Sequence, residues 1–217
     1  MRFAVLVVMI FVVGTIVSGE TRKVDFTGDT IGQAPKGFLF GHTAKVGAAG
    51  KWVIQQDGGN KVLAQTDADP TPARFPVAAI TDVTAVDVDL SVRFKPVSGK
   101  VDQAAGLVWR YRDEDNYYIV RANALEDNVV LYKVEKGKRT DLPVKGEGRT
   151  YGKKAEVPAG KWSTLRVVAS GPRHEVYFNG TKLYEVEDST FSQAGNVGVW
   201  TKADSVTQFD DLTVVTK

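Results

Sequence analysis

Cysteine is absent from the 217 residues, and histidine occurs only twice, at His42 and His174. The first absence excludes a disulfide framework, a thiolate nucleophile and any cysteine-ligated zinc. The second leaves too few imidazoles for a zinc site or a histidine-based triad, and no Gly-x-Ser-x-Gly elbow occurs. An excess of one charge is also missing, since 28 Lys and Arg against 26 Asp and Glu leave a net +2. So balanced a chain gives no support for binding nucleic acid or an anionic membrane surface. Helical periodicity, heptads, charge blocks and low-complexity linkers are lacking as well. Without disulfides, the chain has to hold together by burying a core.

What is present begins with a short hydrophobic run. Arg2 precedes an unbroken apolar stretch from Phe3 to Val13, and Val17-Ser18-Gly19 supplies the small residues a signal peptidase requires. Residues 1–19 therefore read as a signal peptide. The run is too short to span a bilayer, which takes about 20 apolar residues, and no Cys follows it to carry a lipid. A leader followed by a cysteine-free chain points to a bacterial protein secreted to the periplasm or beyond, with no membrane contact after cleavage. Residues 20–217 are expected to form one domain; its oligomeric state is left open.

Period-2 alternation dominates residues 20–217. Val86, Val88, Leu90, Val92 and Phe94 fall on one face of a strand, with Asp87, Asp89, Ser91 and Arg93 on the other. Asp57-Gly58-Gly59 and Asn179-Gly180 are hairpin turns between alternating runs. Further strands are expected over 104–111, 116–124, 129–134, 162–170, 197–201 and 206–215. The glycine-rich stretches 28–50 and 145–158 are expected to be loops. Many short strands with turn signals at short spacing imply an all-β sandwich or barrel.

From Val86 onward the chain resembles the concanavalin A-like lectin and glucanase superfamily. The residues that carry this are Gly106-Leu-Val-Trp-Arg110 with Asp115-Asn-Tyr-Tyr118, Lys161-Trp-Ser-Thr-Leu-Arg-Val167, Val176-Tyr-Phe-Asn-Gly180, Gly198-Val-Trp-Thr201 and Phe209-Asp-Asp-Leu-Thr-Val214. Within that superfamily it is most similar to laminin-G-like domains and to the bacterial 3-keto-disaccharide hydrolase-like domain. The resemblance implies a two-sheet antiparallel jelly roll with a concave, glycan-facing sheet. It also implies that the last strand pairs with the N-terminal one, near Val24 to Phe26. Between those strands many sugar-binding jelly rolls hold a structural calcium, which places Asp25, Asp29 and Asp210 as candidate oxygen ligands here.

On the strand over 104–111, Leu107, Trp109 and Tyr111 form the better core set, which sends Arg110 to the concave face and leaves room for a ligand at Gly106. On the next strand Tyr117, Arg121 and Asn123 share a side, and Tyr132 and Trp200 complete a platform. Guanidinium forks suit sugar hydroxyls or a carboxylate, and aromatic rings stack on sugar faces. Paired carboxylates are not arranged for glycoside hydrolysis: Glu-x-Asp-x-x-Glu does not occur. Asp87, Asp89 and Glu185 remain as single-base candidates. Three functions compete: a carbohydrate-binding domain for a glycan or sugar-derived small molecule, a sugar-processing hydrolase or lyase acting through one base, and a protein-interaction domain. The resemblance implies the second, but its Asn-Ser-Gly motif is Ala104-Ala105-Gly106 here, which leaves the carbohydrate-binding domain as the preferred reading.

Overall fold

The computed structural model describes residues 19–217, so the expected signal peptide lies, apart from Gly19, outside the described residues. In chain order the strands are β1 (Thr21–Val24), β2 (Phe38–His42), β3 (Trp52–Asp57), β4 (Asn60–Gln65), β5 (Pro76–Ala85), β6 (Val88–Ser98), β7 (Ala104–Asp113) and β8 (Asn116–Asn123). They continue as β9 (Asn128–Glu135), β10 (Lys138–Asp141), β11 (Lys153–Lys154), β12 (Ser163–Ser170), β13 (Arg173–Phe178), β14 (Thr181–Glu187), β15 (Gly195–Thr201) and β16 (Val206–Thr216). One 3-10 turn, Thr43–Lys45, is the only helical element among the described residues.

Two eight-stranded sheets result, and every pairing is antiparallel. The first runs β14-β13-β12-β6-β16-β4-β3, with β1 also on β16; the second runs β10-β9-β8-β7-β15-β5-β2, with β11 also on β9. This is the expected jelly-roll sandwich. The two ends of the chain meet as expected, Thr21 opposite Val215 and Val24 opposite Leu212.

Alternation explains the inter-sheet core. Val88, Leu90, Val92 and Phe94 point inward from β6 and are buried against Leu107, Trp109, Tyr118 and Val120 of the second sheet. Each such side chain contributes about 1.5–3 kcal/mol when taken from water. Val86 lies before β6 at the turn and is exposed, so the inward set starts at Val88. Trp162 is also outside the core: it precedes β12, donates from Nε1 to Asp57 Oδ2 at 3.1 Å and packs under Arg93.

Strands β2, β5 and β10 carry no alternating signal. β5 is buried on both faces from Pro76 to Ile80 and reads as a continuous small apolar run. Its Pro76 is tolerated because it opens the strand. Beside β5, Gly198 of β15 lets two backbones approach: a Cβ there would lie 2.1 Å from Ala78 O and 2.6 Å from Ala79 Cα. Gly198→Ala is therefore expected to cost about 1–3 kcal/mol, read as a lower urea midpoint. An unchanged midpoint would show that β5 can yield.

Candidate functional site

The outer face of the second sheet, turned away from the core, carries an unusual concentration of rings and guanidinium groups. Antiparallel register builds it. Tyr117 stands opposite Val134, Ile119 opposite Tyr132, and Arg121 opposite both Gly106 and Val130. Trp200 of β15 stands opposite Gly106 of β7, and its indole lies 3.2 Å from where a Cβ would stand. Ile119 closes on the same spot, so the space at Gly106 is filled by the protein rather than left for a ligand.

Arg121 is fully buried and tied at three corners. Its guanidinium donates to Asn128 Oδ1 at 2.5 Å, Glu126 Oε2 at 2.8 Å and Tyr151 Oη at 3.2 Å. Tyr132 donates its hydroxyl to Tyr151 Oη at 2.8 Å, and Arg121 lies 5.8 Å from the Tyr132 ring centre. Asn123 donates to Asp102 Oδ1 at 2.7 Å and to Glu126 Oε1 at 3.0 Å; Lys202 pairs with the other Asp102 oxygen. Trp200 stacks on Phe75 at 5.3 Å. Arg139 of β10 lies over Phe75, Tyr132 and Trp200 at 4.6, 4.4 and 5.8 Å.

Electrostatics follow from burial. Desolvation raises the Asp102 carboxyl above the usual range even though Lys202 pulls it down. For Glu126, desolvation pushes upward, but the Arg121 charge and its hydrogen bond win and hold the carboxyl low. Burial also raises the Tyr132 phenol, so it stays a neutral donor at physiological pH.

Five of the six residues expected on this face are there: Tyr117, Arg121, Asn123, Tyr132 and Trp200. Tyr117 forms part of the floor, its hydroxyl 2.7 Å from Thr43 Oγ1. Arg110 is not among them. Trp109 and Arg110 both sit opposite the single Val197, a bulge that gives Arg110 a φ of 47°. Beyond it the alternation inverts, so Tyr111 joins the outer face instead of the core. Arg110 is buried at the sandwich rim, donating to Val86 O, Phe191 O and Gly171 O.

The expected calcium ligands are not gathered. Asp25 and Asp210 border one pocket of about 280 Å³, with Thr27, Lys61 and Asp211. Asp29 instead accepts from Lys36 N at 3.0 Å. Arg93 lies 3.8 Å from Asp210, Lys23 lies 3.0 Å from Asp211, and Asp25 binds its own neighbour Thr27. Asp210 is thus faced by a cation of the chain, Asp25 and Asp29 are engaged by nearby donors, and no group of three or more potential metal ligands occurs among the described residues. The donor set does not fit calcium.

The single-base candidates are engaged elsewhere. Asp89 pairs bidentately with Arg166, and Asp87 accepts from Gly171 N and Arg110. Glu185 is pulled down to about 2 by hydrogen bonds from Lys145 and Arg173. Asp89 and Glu185 belong to strands of the first sheet or their borders, away from the aromatic face. Sequence reasoning missed Arg139, Glu126, Asn128, Asp102, Lys202 and Tyr151. A signal existed for Arg139, because the Lys136-Gly137 turn sets it opposite Val134 and so on the Tyr117 face. Tyr151 lies in a loop with no period to read.

Together these features define an all-β jelly-roll sandwich with donor and aromatic groups on one outer face. The chain belongs to the 3-keto-alpha-glucoside-1,2-lyase-like domain family, whose profile matches residues 45–215. No curated protein matches it. Among solved structures it is similar to the carbohydrate binding module CBM66 from Bacillus subtilis, with a TM-score of 0.61 at 21% identity over 83% of this chain and 96% of that one. Domain 4 of AbnA, a GH43 extracellular arabinanase from Geobacillus stearothermophilus in complex with arabinotriose, gives 0.58 at 14% identity over 92% and 93%. A cellulose induced protein gives 0.62 at 11% identity over 90% and 97%. At these identities the likeness establishes the fold.

Proposed function

We propose that the protein binds a glycan or sugar-derived small molecule on the outer face of the second sheet, the face expected to be concave. The observation that carries this reading is the Arg121–Tyr132–Tyr151 constellation, in which buried donors are held rigidly beside one half-exposed ring. Tyr151 is 44% exposed, and a pocket of about 580 Å³ opens beside it, bordered by Asn128, Thr150 and Lys154. Sugar sites combine such an accessible ring with fixed polar groups. Family membership and the fold shared with a carbohydrate binding module and an arabinotriose-bound domain support it. The leader-like residues 1–19 support binding outside the cytoplasm.

The test is calorimetric titration with a panel of oligosaccharides. Tyr151→Phe, which keeps the ring and removes only the hydroxyl, reports what the loss of that acceptor for Arg121 and Tyr132 does to the melting temperature, and Tyr151→Ala is expected to lower affinity about tenfold, or 1.4 kcal/mol. Unchanged binding by this variant would remove the face from consideration.

A catalytic reading has one observation in its favour. Asp102, with its carboxyl raised by burial, lies on this same face. A base there would take the acidic proton beside the keto group of an oxidised sugar, with the nearby guanidinium groups steadying the enolate. Loss of a 3-keto-disaccharide on incubation, abolished by Asp102→Asn, would establish it. An unchanged substrate would leave binding alone.

A further inference from the structure

We infer that the ligand of this outer face carries a carboxylate, and that Arg139 is the side chain that receives it. The inference rests on the sugar-binding reading above and adds the chemical class of the sugar.

Four other cations of the face and its surroundings have acidic partners, and Lys154 at the pocket edge donates to the Glu126 carbonyl. Arg121 has Glu126 at 2.8 Å, Arg74 has Asp67 at 2.7 Å, Arg149 has Asp141 at 3.5 Å, and Lys202 has Asp102. Asp141 is two residues from Arg139 on the same strand, yet its charge is taken by Arg149. Arg139 has no acidic partner among the described residues, and residues 1–18 contain neither Asp nor Glu. Its Nη1 is buried without a hydrogen-bond acceptor.

The surroundings explain how such a group persists. Three aromatic rings, of Phe75, Tyr132 and Trp200, lie within 4.4 to 5.8 Å of the guanidinium carbon. Their π faces attract the cation and fix it in place. They offer nothing to its in-plane N–H donors, which need an oxygen acceptor in the guanidinium plane. The result is a rigid fork with charge and donors both unspent, and buried polar groups in folded proteins rarely go unpaired. A neutral sugar hydroxyl would accept one hydrogen bond and leave the charge. A carboxylate answers both, through two parallel hydrogen bonds. Arg121, 5.8 Å from the same Tyr132 ring, adds a second cation, partly offset by Glu126. The carboxylate of a uronic acid sits directly on its pyranose ring, which the exposed Tyr151 can then cover. An oligosaccharide containing uronic acid is therefore the ligand class.

Titration of the protein at pH 7 with two oligosaccharides of the same linkage tests this, one neutral and one with a C6 oxidised to the uronate. The uronate is expected to bind at least tenfold tighter, with the gap narrowing as salt is added. Arg139→Met keeps an apolar stem on the rings and is expected to bring the ratio of the two affinities close to one. Arg139→Lys keeps the charge without the fork and is expected to retain part of the gap. Thermal melting reports whether each variant is folded, and the two variants are read independently. Equal affinity for the pair in the unmodified protein overturns the assignment and leaves the sugar-binding reading standing. So does a gap that survives Arg139→Met. Failure of both sugars to bind overturns the two readings together.

Discussion

Replacing Arg110 by alanine is expected to lower the stability of the fold by about 3–5 kcal/mol without removing a ligand contact. The guanidinium holds Val86 O at 2.8 Å, Phe191 O at 2.7 Å and Gly171 O at 2.6 Å. Those carbonyls belong to the β5–β6 turn, the segment after β14 and the β12–β13 turn, so one side chain ties three connections at a single end of the sandwich. Truncation would strand three carbonyls and leave the Asp87 carboxylate with only the Gly171 N–H as a donor. Each buried polar group left unpaired costs about 1–3 kcal/mol. In a domain of this size the melting temperature would fall by roughly 10 °C. Arg110→Lys would rescue little, because a point charge cannot span three acceptors. A variant that melts normally but no longer binds sugar would return Arg110 to the ligand.

That expectation marks where the sequence is legible and where it stops. Alternation through 88–94 and 116–123 assigns inward and outward residues correctly, and it places Tyr117, Arg121 and Asn123 on one face. Tyr132 and Trp200 join them because strands β9 and β15 are regular where they cross it. The same rule fails at Arg110, because a bulge adds one residue and inverts everything after it. The only local trace is at Gly195 across the ladder, where a Cβ would lie 2.5 Å from the Arg110 carbonyl carbon. A glycine in a strand marks a close approach without saying which partner approaches. β5 was hidden by burial on both faces, which erases the polar half of the pattern. Asp102, Glu126, Asn128 and Lys202 come from strand ends and turns, where no period holds. The electrostatic partners of the face are tertiary facts.

Acidification is expected to destabilise the protein through His174 above the window in which depressed carboxylates such as Glu185 titrate. The ring is fully buried in β13, 5.5 Å from Trp109 and 4.7 Å from Tyr118. Nε2 is 3.2 Å from Asp188 O, which makes it the N–H donor, and Nδ1 has no partner. Burial, with the Arg110 charge second, pushes the pKa down from 6.5 to about 4. The folded state thus binds fewer protons than the unfolded one between those two values. The stability this provides is complete above pH 6.5, declines as pH falls, and is gone below about 4. A shift of that size corresponds to about 3 kcal/mol. The depressed Glu185, held near 2 by Lys145 and Arg173, loses its contribution only below the ordinary glutamate range. The two windows therefore separate. Urea denaturation at intervals from pH 7.5 to 4 would show the decline, and His174→Gln, which keeps a donor for Asp188 O but cannot take up the proton, should flatten it. A slope identical in the two proteins would assign acid sensitivity to the carboxylates instead. The same linkage joins this prediction to the first: Arg110→Ala, where it still folds, removes the neighbouring charge, so its His174 should titrate closer to 6.5.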